Sequence, residues 1–408
     1  QFVDGGVHHW WHPLPALGAE KEIESGVRTK ISDNRLWLCY VMARYLEETA
    51  DFSALDLTEP FVDDPTPHTL WEHFLRALDL ALNNLSPRGL PLIGGGDWND
   101  GLNAVGVQGK GESVWLGHFL FGLLNDFAEF AERRGEAPLA RRYRQSAAAL
   151  RETIYQVAWD GEWYWRATND QGELLGSHLN TEGRIFLNAQ TWAILSNTVS
   201  TERAAQVWQS IEKWLLKDYG PLLLYPAYHT PDPAIGYLSR YAPGVRENGG
   251  VYTHAATWAL LAACRLGLRE KAYDLYRRLC PPLRGLDPEL YQGEPYVTPG
   301  NVDGPDSPNF GRGAWTWYSG SAQWLLRVTL YGLFGLQPTV DGLRLAPCLP
   351  PDWKSCRVKR YFRGSLYEIE YRDLSGTKVC LSLDGNSVDG NTLPLPTGSV
   401  HHVVVRLD

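Results

Sequence analysis

The hydrophobic pattern of this chain changes period once, and that change limits the folds open to it. Up to about residue 335, apolar side chains recur at helical spacing. Leu36, Tyr40, Ala43 and Leu46 share one face. Leu70, Phe74, Ala77, Leu78, Ala81 and Leu85 share another, behind a Thr66 cap with Pro67 in the first turn. Further helices are predicted over 113–134, ended by Gly135, and over 138–157, 188–199, 201–217, 253–266, 268–280 and 320–334. Trp159-Asp160-Gly161-Glu162-Trp163 reads as a hairpin between helices. From residue 336 the period falls to two. Tyr367, Ile369 and Tyr371 alternate with Glu368 and Glu370, Val379, Leu381 and Leu383 precede an Asp384-Gly385 turn, and Val403, Val405 and Leu407 follow. This predicts a helical domain over 1–335, built of consecutive helical hairpins as in an α/α toroid, and a small antiparallel β domain over 336–408.

Composition narrows the function. A length of 408 residues accommodates a large helical barrel and a small second domain. A net charge of −9 gives no reason to expect nucleic acid or an anionic membrane surface as partner. Seventeen tryptophans against one methionine agree with a carbohydrate-handling protein. The six cysteines form no CxxC pair and read as buried free thiols, so the expected location is the cytoplasm. No stretch approaches the roughly 20 apolar residues of a membrane span. Gln1 does not read as a natural start.

The run Gly94-Gly95-Gly96-Asp97-Trp98-Asn99-Asp100-Gly101-Leu102-Asn103 follows the apolar stretch Leu90-Pro91-Leu92-Ile93. Glycine disfavours regular structure on entropic grounds, and Asp and Asn favour turns, so this is a loop projected from a buried element. It lacks the Gly-Lys-Ser/Thr ending of a phosphate loop. It also fails as a calcium loop, because Gly101 and Gln108 stand where ligands are needed. Carboxylates beside an indole suit sugar chemistry: the indole covers a pyranose face and a carboxyl protonates a glycosidic oxygen. A plain structural turn is the alternative that this loop alone leaves open.

The loop resembles the catalytic loop of glycoside hydrolase family 94, the inverting β-glucoside phosphorylases, and within it the phosphorylase-like domain of cyclic β-1,2-glucan synthases. The other motifs that carry the resemblance occur in order. They are Gln1-Phe2-Val3-Asp4-Gly5 with His8-His9-Trp10-Trp11-His12-Pro13, then Gly26-Val27-Arg28-Thr29 and Ile31-Ser32-Asp33. Beyond the loop come Glu247-Asn248-Gly249-Gly250 through His254, and Gly311-Arg312-Gly313 through Ser319-Gly320-Ser321. The resemblance implies an (α/α)6 barrel whose first helices precede Gln1, followed by a β-sandwich. Those upstream residues of the same enzyme are an expected partner, and a homodimer is another.

What the resemblance implies for the residues is specific. Asp100 is the general acid that protonates the glycosidic oxygen while inorganic phosphate attacks the anomeric carbon from the opposite face. A hydrolase of that stereochemistry needs a second carboxylate to activate water, whereas phosphate is already an anion. Trp98 lines the sugar site, with Asn99 beside it, and Asp97 shapes the loop or binds a sugar hydroxyl. Glu247 binds the acceptor sugar, and Arg28 and Arg312 contact substrate. His254, Ser319 and Gly320 hold phosphate at helix starts, where backbone N–H groups favour an anion. The plain readings are a satisfied helix-start histidine for His254, an N-cap for Ser319 and a solvated side chain for Arg28. Trp315 and Trp317 read as readily as core. Lys30 and Asn34 replace the family's Arg and Asp, and a lysine cannot reproduce a bidentate fork. His8, His9 and His12 fit a packed loop better than a metal site. No cofactor is expected, phosphate being a co-substrate. The resemblance implies that glucose transferred from a β-linked oligoglucan, β-1,2 by its subgroup, leaves as α-glucose 1-phosphate. Two alternatives stay open: a glycosylase without phosphate use, either a transglycosylase or a hydrolase in which Glu247, Asp303 or Asp306 activates water, and a non-catalytic piece of a longer enzyme.

Overall fold

The computed structural model describes residues 1–11, 26–395 and 398–408. His12 and Pro13 lie outside the described residues. The chain forms two compact units: Gln1–Ala43, Phe52–Ser200 and Leu224–Pro243 make the first, and Arg44–Asp51, Thr201–Leu223 and Gly244–Asp408 the second.

In the first unit, helix α1 (Asn34–Thr49) supplies its first ten residues and α2 (Leu70–Asn83) follows. The start of α2 differs from expectation. Asp64–Thr69 is a strand paired antiparallel with Thr58–Phe61, Pro67 opposite Pro60, and the N-cap is Thr69 rather than Thr66. Pro65 and Pro67 hold Asp64 and Thr66 extended, which suits an edge strand as well as it suits an N-cap. Thr69 and Glu72 instead complete a capping box, with Glu72 N donating to Thr69 Oγ1 at 3.2 Å and Thr69 N to Glu72 Oε2 at 2.9 Å. Leu85 falls past the end of the helix. Helices α3 (Val114–Arg133) and α4 (Ala137–Val157) form an antiparallel hairpin turned at Gly135, φ +80°. Helix α5 (Leu187–Leu195) packs on α3, and every residue from Leu187 to Ile194 is buried. It stops short of 199 because Asn197 adopts φ +64°.

In the second unit, α6 (Thr201–Ser210) runs into a wider turn at Ile211–Leu215. Helix α7 (Thr253–Arg265) packs against α8 (Arg269–Leu279). Two single-turn helices follow, α9 (Pro281–Arg284) and α10 (Pro288–Tyr291), and then α11 (Ser319–Val328), which also packs on α7. Leu336–Thr339, Gly342–Leu345 and Thr392–Leu393 make a three-stranded antiparallel sheet. A second sheet orders Ser355–Phe362, Ser365–Arg372, Val400–Leu407, Val379–Leu383 and Asn386–Val388. This corrects the all-antiparallel expectation: Ser365–Arg372 and Val400–Leu407 run parallel, Leu366 opposite Val400 and Tyr371 opposite Val405. The predicted faces hold, since Tyr367, Ile369, Tyr371, Val403, Val405 and Leu407 are all buried. Asp384 and Gly385 close the tight hairpin with positive φ at both positions.

Also within this unit, Arg363 closes the end of α1. Its guanidinium donates to the carbonyls of Glu47 (2.8 Å), Glu48 (3.1 Å), Thr339 (2.6 Å) and Val340 (3.0 Å). Carbonyls at a helix end have no partner in the helix, so one planar cation here serves four acceptors. Arg363→Ala is expected to lower the unfolding free energy by about 2–3 kcal/mol. The urea midpoint measures this, and an unshifted midpoint would mean that water satisfies those carbonyls as well as the guanidinium does.

Candidate active site

In the first unit, the loop from Gly94 to Asn103 is shaped before any side chain acts. Ile93, Leu102 and Val105 are fully buried in one cluster with Phe186, Leu224 and Leu238, which anchors both ends. Between them the backbone passes so close to Lys30 that a Cβ at Gly94 would stand 2.4 Å from the Lys30 carbonyl oxygen. Gly94 also has φ +61°, so glycine is required twice over. Gly95 N donates to Lys30 O at 2.9 Å, and Ser32 donates to Gly96 O from its N (2.9 Å) and its Oγ (3.1 Å). The Arg28–Asp33 motif is therefore the clamp of the glycine run.

The polar residues of the loop alternate in fate. Asp97 and Asn99 are buried, 1% and 0% exposed, whereas Trp98 and Asp100 are half-buried. Asp97 accepts from Arg166 Nη2 at 2.5 Å, from Ser113 Oγ at 2.6 Å and from Asn99 N at 3.0 Å. The Asn99 side-chain oxygen accepts from Arg166 Nη2 at 3.0 Å and Asn188 Nδ2 at 3.1 Å. Ser113 is the N-cap of α3 and Asn188 the second residue of α5, so two helix starts and one arginine pin the loop from within. Arg166, absent from the sequence-based candidates, is completely buried. Its signal was a single charge in the aromatic run Trp163-Tyr164-Trp165-Arg166. Among the described residues, no side chain hydrogen-bonds or ion-pairs with the Asp100 carboxyl.

Arg28 is partly exposed, donates to Asp4, and lies over the Phe2 ring at 4.3 Å. Asn34 is held by Thr29 Oγ1 and the His9 ring.

Asp33 lies beneath this loop and is 3% exposed. Its Oδ2 accepts from Trp37 Nε1 at 2.7 Å, and its Oδ1 has no hydrogen-bond partner among the described residues. Burial first, and then the charge of Asp97, push the Asp33 carboxyl up from 3.8 to about 7, against the opposing pull of the Trp37 N–H and Arg166. Asp33 thus has one side-chain donor where Asp97 has two, and its carboxyl keeps a proton to higher pH than an ordinary carboxylate.

The second unit gathers the other expected residues around two helix starts. Thr253 and Ser319 open α7 and α11, and neither helix has a side-chain cap; Thr253 N donates instead to the Gly300 carbonyl at 3.0 Å. A Cβ on Gly320 would stand 3.5 Å from His254 Nδ1, so these two residues sit side by side. The His254 ring packs against Trp258 (4.9 Å between centroids) and Trp324 (5.8 Å). This desolvation lowers its pKa to about 3, so the imidazole is neutral at neutral pH and offers an N–H rather than a charge. Ser319 is exposed, and Glu247 is 5% exposed on the turn before α7. Arg312 donates to Asp303 Oδ2 at 3.1 Å. Asp303 is fully buried and also accepts from Asn301 Nδ2 and Ser307 Oγ, each at 3.0 Å, which leaves it badly placed to activate water. Asp306 is exposed. Trp315 and Trp317 are not core: they are 43% and 68% exposed.

Residues 1–335 match the glycosyl hydrolase 94 superfamily catalytic domain, and the chain belongs to that family. It is 37% identical over 412 residues to solabiose phosphorylase of Paenibacillus borealis, covering 99% of this chain and 51% of that protein. It is 38% identical over 414 residues to cyclic β-(1,2)-glucan synthase NdvB of Rhizobium meliloti (strain 1021), covering 96% of this chain and 14% of that protein. The chain thus spans about half the length of the first relative and far less of the second. Among solved structures it resembles a GH78 family rhamnosidase of Bacillus sp. GL1, with a TM-score of 0.56 and 15% identity, over 94% of this chain and 35% of that one. That last likeness concerns fold alone. Among the described residues, no helix is long and apolar enough to cross a membrane.

Asp33 generates a pH prediction. Its folded pKa stands above the unfolded value, so the folded state holds a proton that the unfolded chain releases. The associated stability is complete below about pH 4 and is lost as pH rises through about 7. Asp33→Asn removes this dependence. Relative to the parent, its unfolding free energy should improve by roughly 2–3 kcal/mol more at pH 8 than at pH 5. Urea unfolding at the two pH values reads the difference, and parallel parent and variant profiles would show Asp33 to be ionised throughout.

Proposed function

We propose that this chain carries the catalytic machinery of an inverting carbohydrate phosphorylase. Glucose passes from the non-reducing end of a β-linked oligoglucan to inorganic phosphate, giving α-glucose 1-phosphate. Asp100 hands its proton to the departing glycosidic oxygen, and a phosphate oxygen forms the new bond at the anomeric carbon from the opposite face. The observation that carries this reading is the contrast inside one loop: Asp97 and Asn99 are fully engaged by Arg166, Ser113 and Asn188, while Asp100 stands half-buried beside Trp98. A general acid has to be held in place by its backbone while its carboxyl stays uncommitted.

The remaining roles follow the chemistry of each group. Trp98 covers a sugar face, Asp97 and Asn99 hold the loop, and Glu247, Arg28 and Arg312 are assigned to substrate, the two arginines through groups already paired with Asp4 and Asp303. His254, Ser319 and Gly320 receive phosphate at the starts of α7 and α11, by N–H and O–H donation. Phosphate is a co-substrate, and no further cofactor is needed. One relative is named a phosphorylase and another a cyclic β-(1,2)-glucan synthase; together these names frame phosphorolysis of a β-1,2 linkage. For architecture we propose an (α/α)6 toroid over 1–335 and a β domain over 336–408.

The test supplies α-glucose 1-phosphate with a panel of glucobioses, reads phosphate release, and compares the parent with Asp100→Asn. The parent should release phosphate only when an acceptor is present, and the variant's kcat should fall on the order of 10³-fold. In the reverse direction, glucose appearing from β-glucan without added phosphate would replace this reading by hydrolysis.

A further inference from the structure

Two indoles near the start of α11 have a placement that folding does not explain. Trp315 and Trp317 both adopt left-handed backbone, φ +58° and +65°, which bulky residues avoid. Trp317 is 68% exposed and its neighbour Tyr296 is 72% exposed. Neither strain nor exposure contributes to stability, and strained backbone of this kind concentrates where a ligand is held.

The exposed rings are nevertheless fixed. Trp317 Nε1 donates to Glu294 Oε1 at 3.2 Å, and the Tyr296 ring meets the Trp317 ring nearly edge-on, centroids 6.1 Å apart. Trp315 lies parallel to Tyr318 at 5.9 Å, and the Arg246 guanidinium covers it at 3.5 Å. A solvated surface tryptophan would have none of these ties. An ordered indole open to solvent can receive a flat apolar face with little conformational entropy to lose.

Position and charge select the ligand. Tyr318, next to Trp317, lies 3.5 Å from where a Gly320 Cβ would stand, and Gly320 adjoins His254. Tyr318 and the Trp315 ring stacked on it therefore adjoin the residues assigned to phosphate, one position along the chain from Trp317. The rim offers a carboxylate, Glu294, to hydroxyl donors. A β-glucosyl ring, with its hydroxyls equatorial, presents C–H groups on both faces and O–H groups around its edge. A nucleobase would also stack, but a polyanion meets a chain of net charge −9.

We propose that Trp317, with Tyr296 at its edge and Glu294 as hydroxyl acceptor, is a subsite for a glucosyl unit of a β-linked oligosaccharide outside the reacting pair of sugars. The proposal rests on the phosphorylase reading for its substrate class. Its test does not require turnover. Isothermal titration without phosphate would use five-unit β-1,2-, β-1,3- and β-1,4-gluco-oligosaccharides with the parent, Trp317→Ala and Trp317→Phe. The parent is expected to bind at least one of them, Trp317→Ala about tenfold more weakly, and Trp317→Phe within about threefold of the parent. In phosphorolysis, Trp317→Ala should raise KM for the five-unit chain while leaving kcat and the disaccharide KM unchanged. A parent that binds none of the three, or a Trp317→Ala variant that binds like the parent, overturns the subsite. Binding lost in the variant without any phosphorolysis by the parent would retain the subsite and remove the reaction. Normal turnover with unchanged long-chain KM would do the reverse.

Discussion

The contact on which the rest of the first unit depends is the buried pair between Arg166 and Asp97, neither of which has exposed side-chain surface. Such a pair adds little net stability, because removing two charges from water costs about as much as their attraction returns. Breaking it is another matter, since an uncompensated buried charge costs roughly 3–5 kcal/mol. The pair therefore acts as a specification: only one loop conformation lets Arg166 reach Asp97 and Asn99 together. That conformation turns residues 97 and 99 inward and leaves 98 and 100 at the surface. The Asp100 carboxyl is placed by its neighbours' burial rather than by contacts of its own.

The second unit is built on a different device. A neutral imidazole stands between two indoles and beside a glycine, at two helices that lack side-chain caps. Two arginines of this unit are engaged within it: Arg312 is neutralised by Asp303 and Arg246 lies on Trp315.

Much of this was legible in the sequence, for physical reasons that differ by element. Helices α3, α4, α7 and α8 emerge within a few residues of their predicted ends because period and punctuation agree, as at Gly135. The start of α2 was misplaced because Pro67 satisfies the rule for a first helical turn and equally the rule for an edge strand, and only the Thr69–Glu72 box separates the two. Strand faces followed from alternation, but alternation says nothing of direction, so the parallel pair stayed hidden. The carboxylate loop stood out by composition. Its partner Arg166 did not, because an ion pair spanning 69 residues leaves no local pattern. The burial of Asp33 and the outward turn of Trp317 were equally invisible: one depends on what packs above it, the other on a backbone angle that tryptophan rarely takes.

The mixed sheet has a consequence for assembly. Val400–Leu407 lies between Ser365–Arg372 and Val379–Leu383, so neither earlier hairpin can reach the other directly. Each hairpin exposes an open edge until that segment arrives, and an isolated two-stranded ribbon is marginal in water. The sheet should therefore form in one late, concerted step gated by the segment inserted between its halves, leaving both edges available for mispairing with other chains until then.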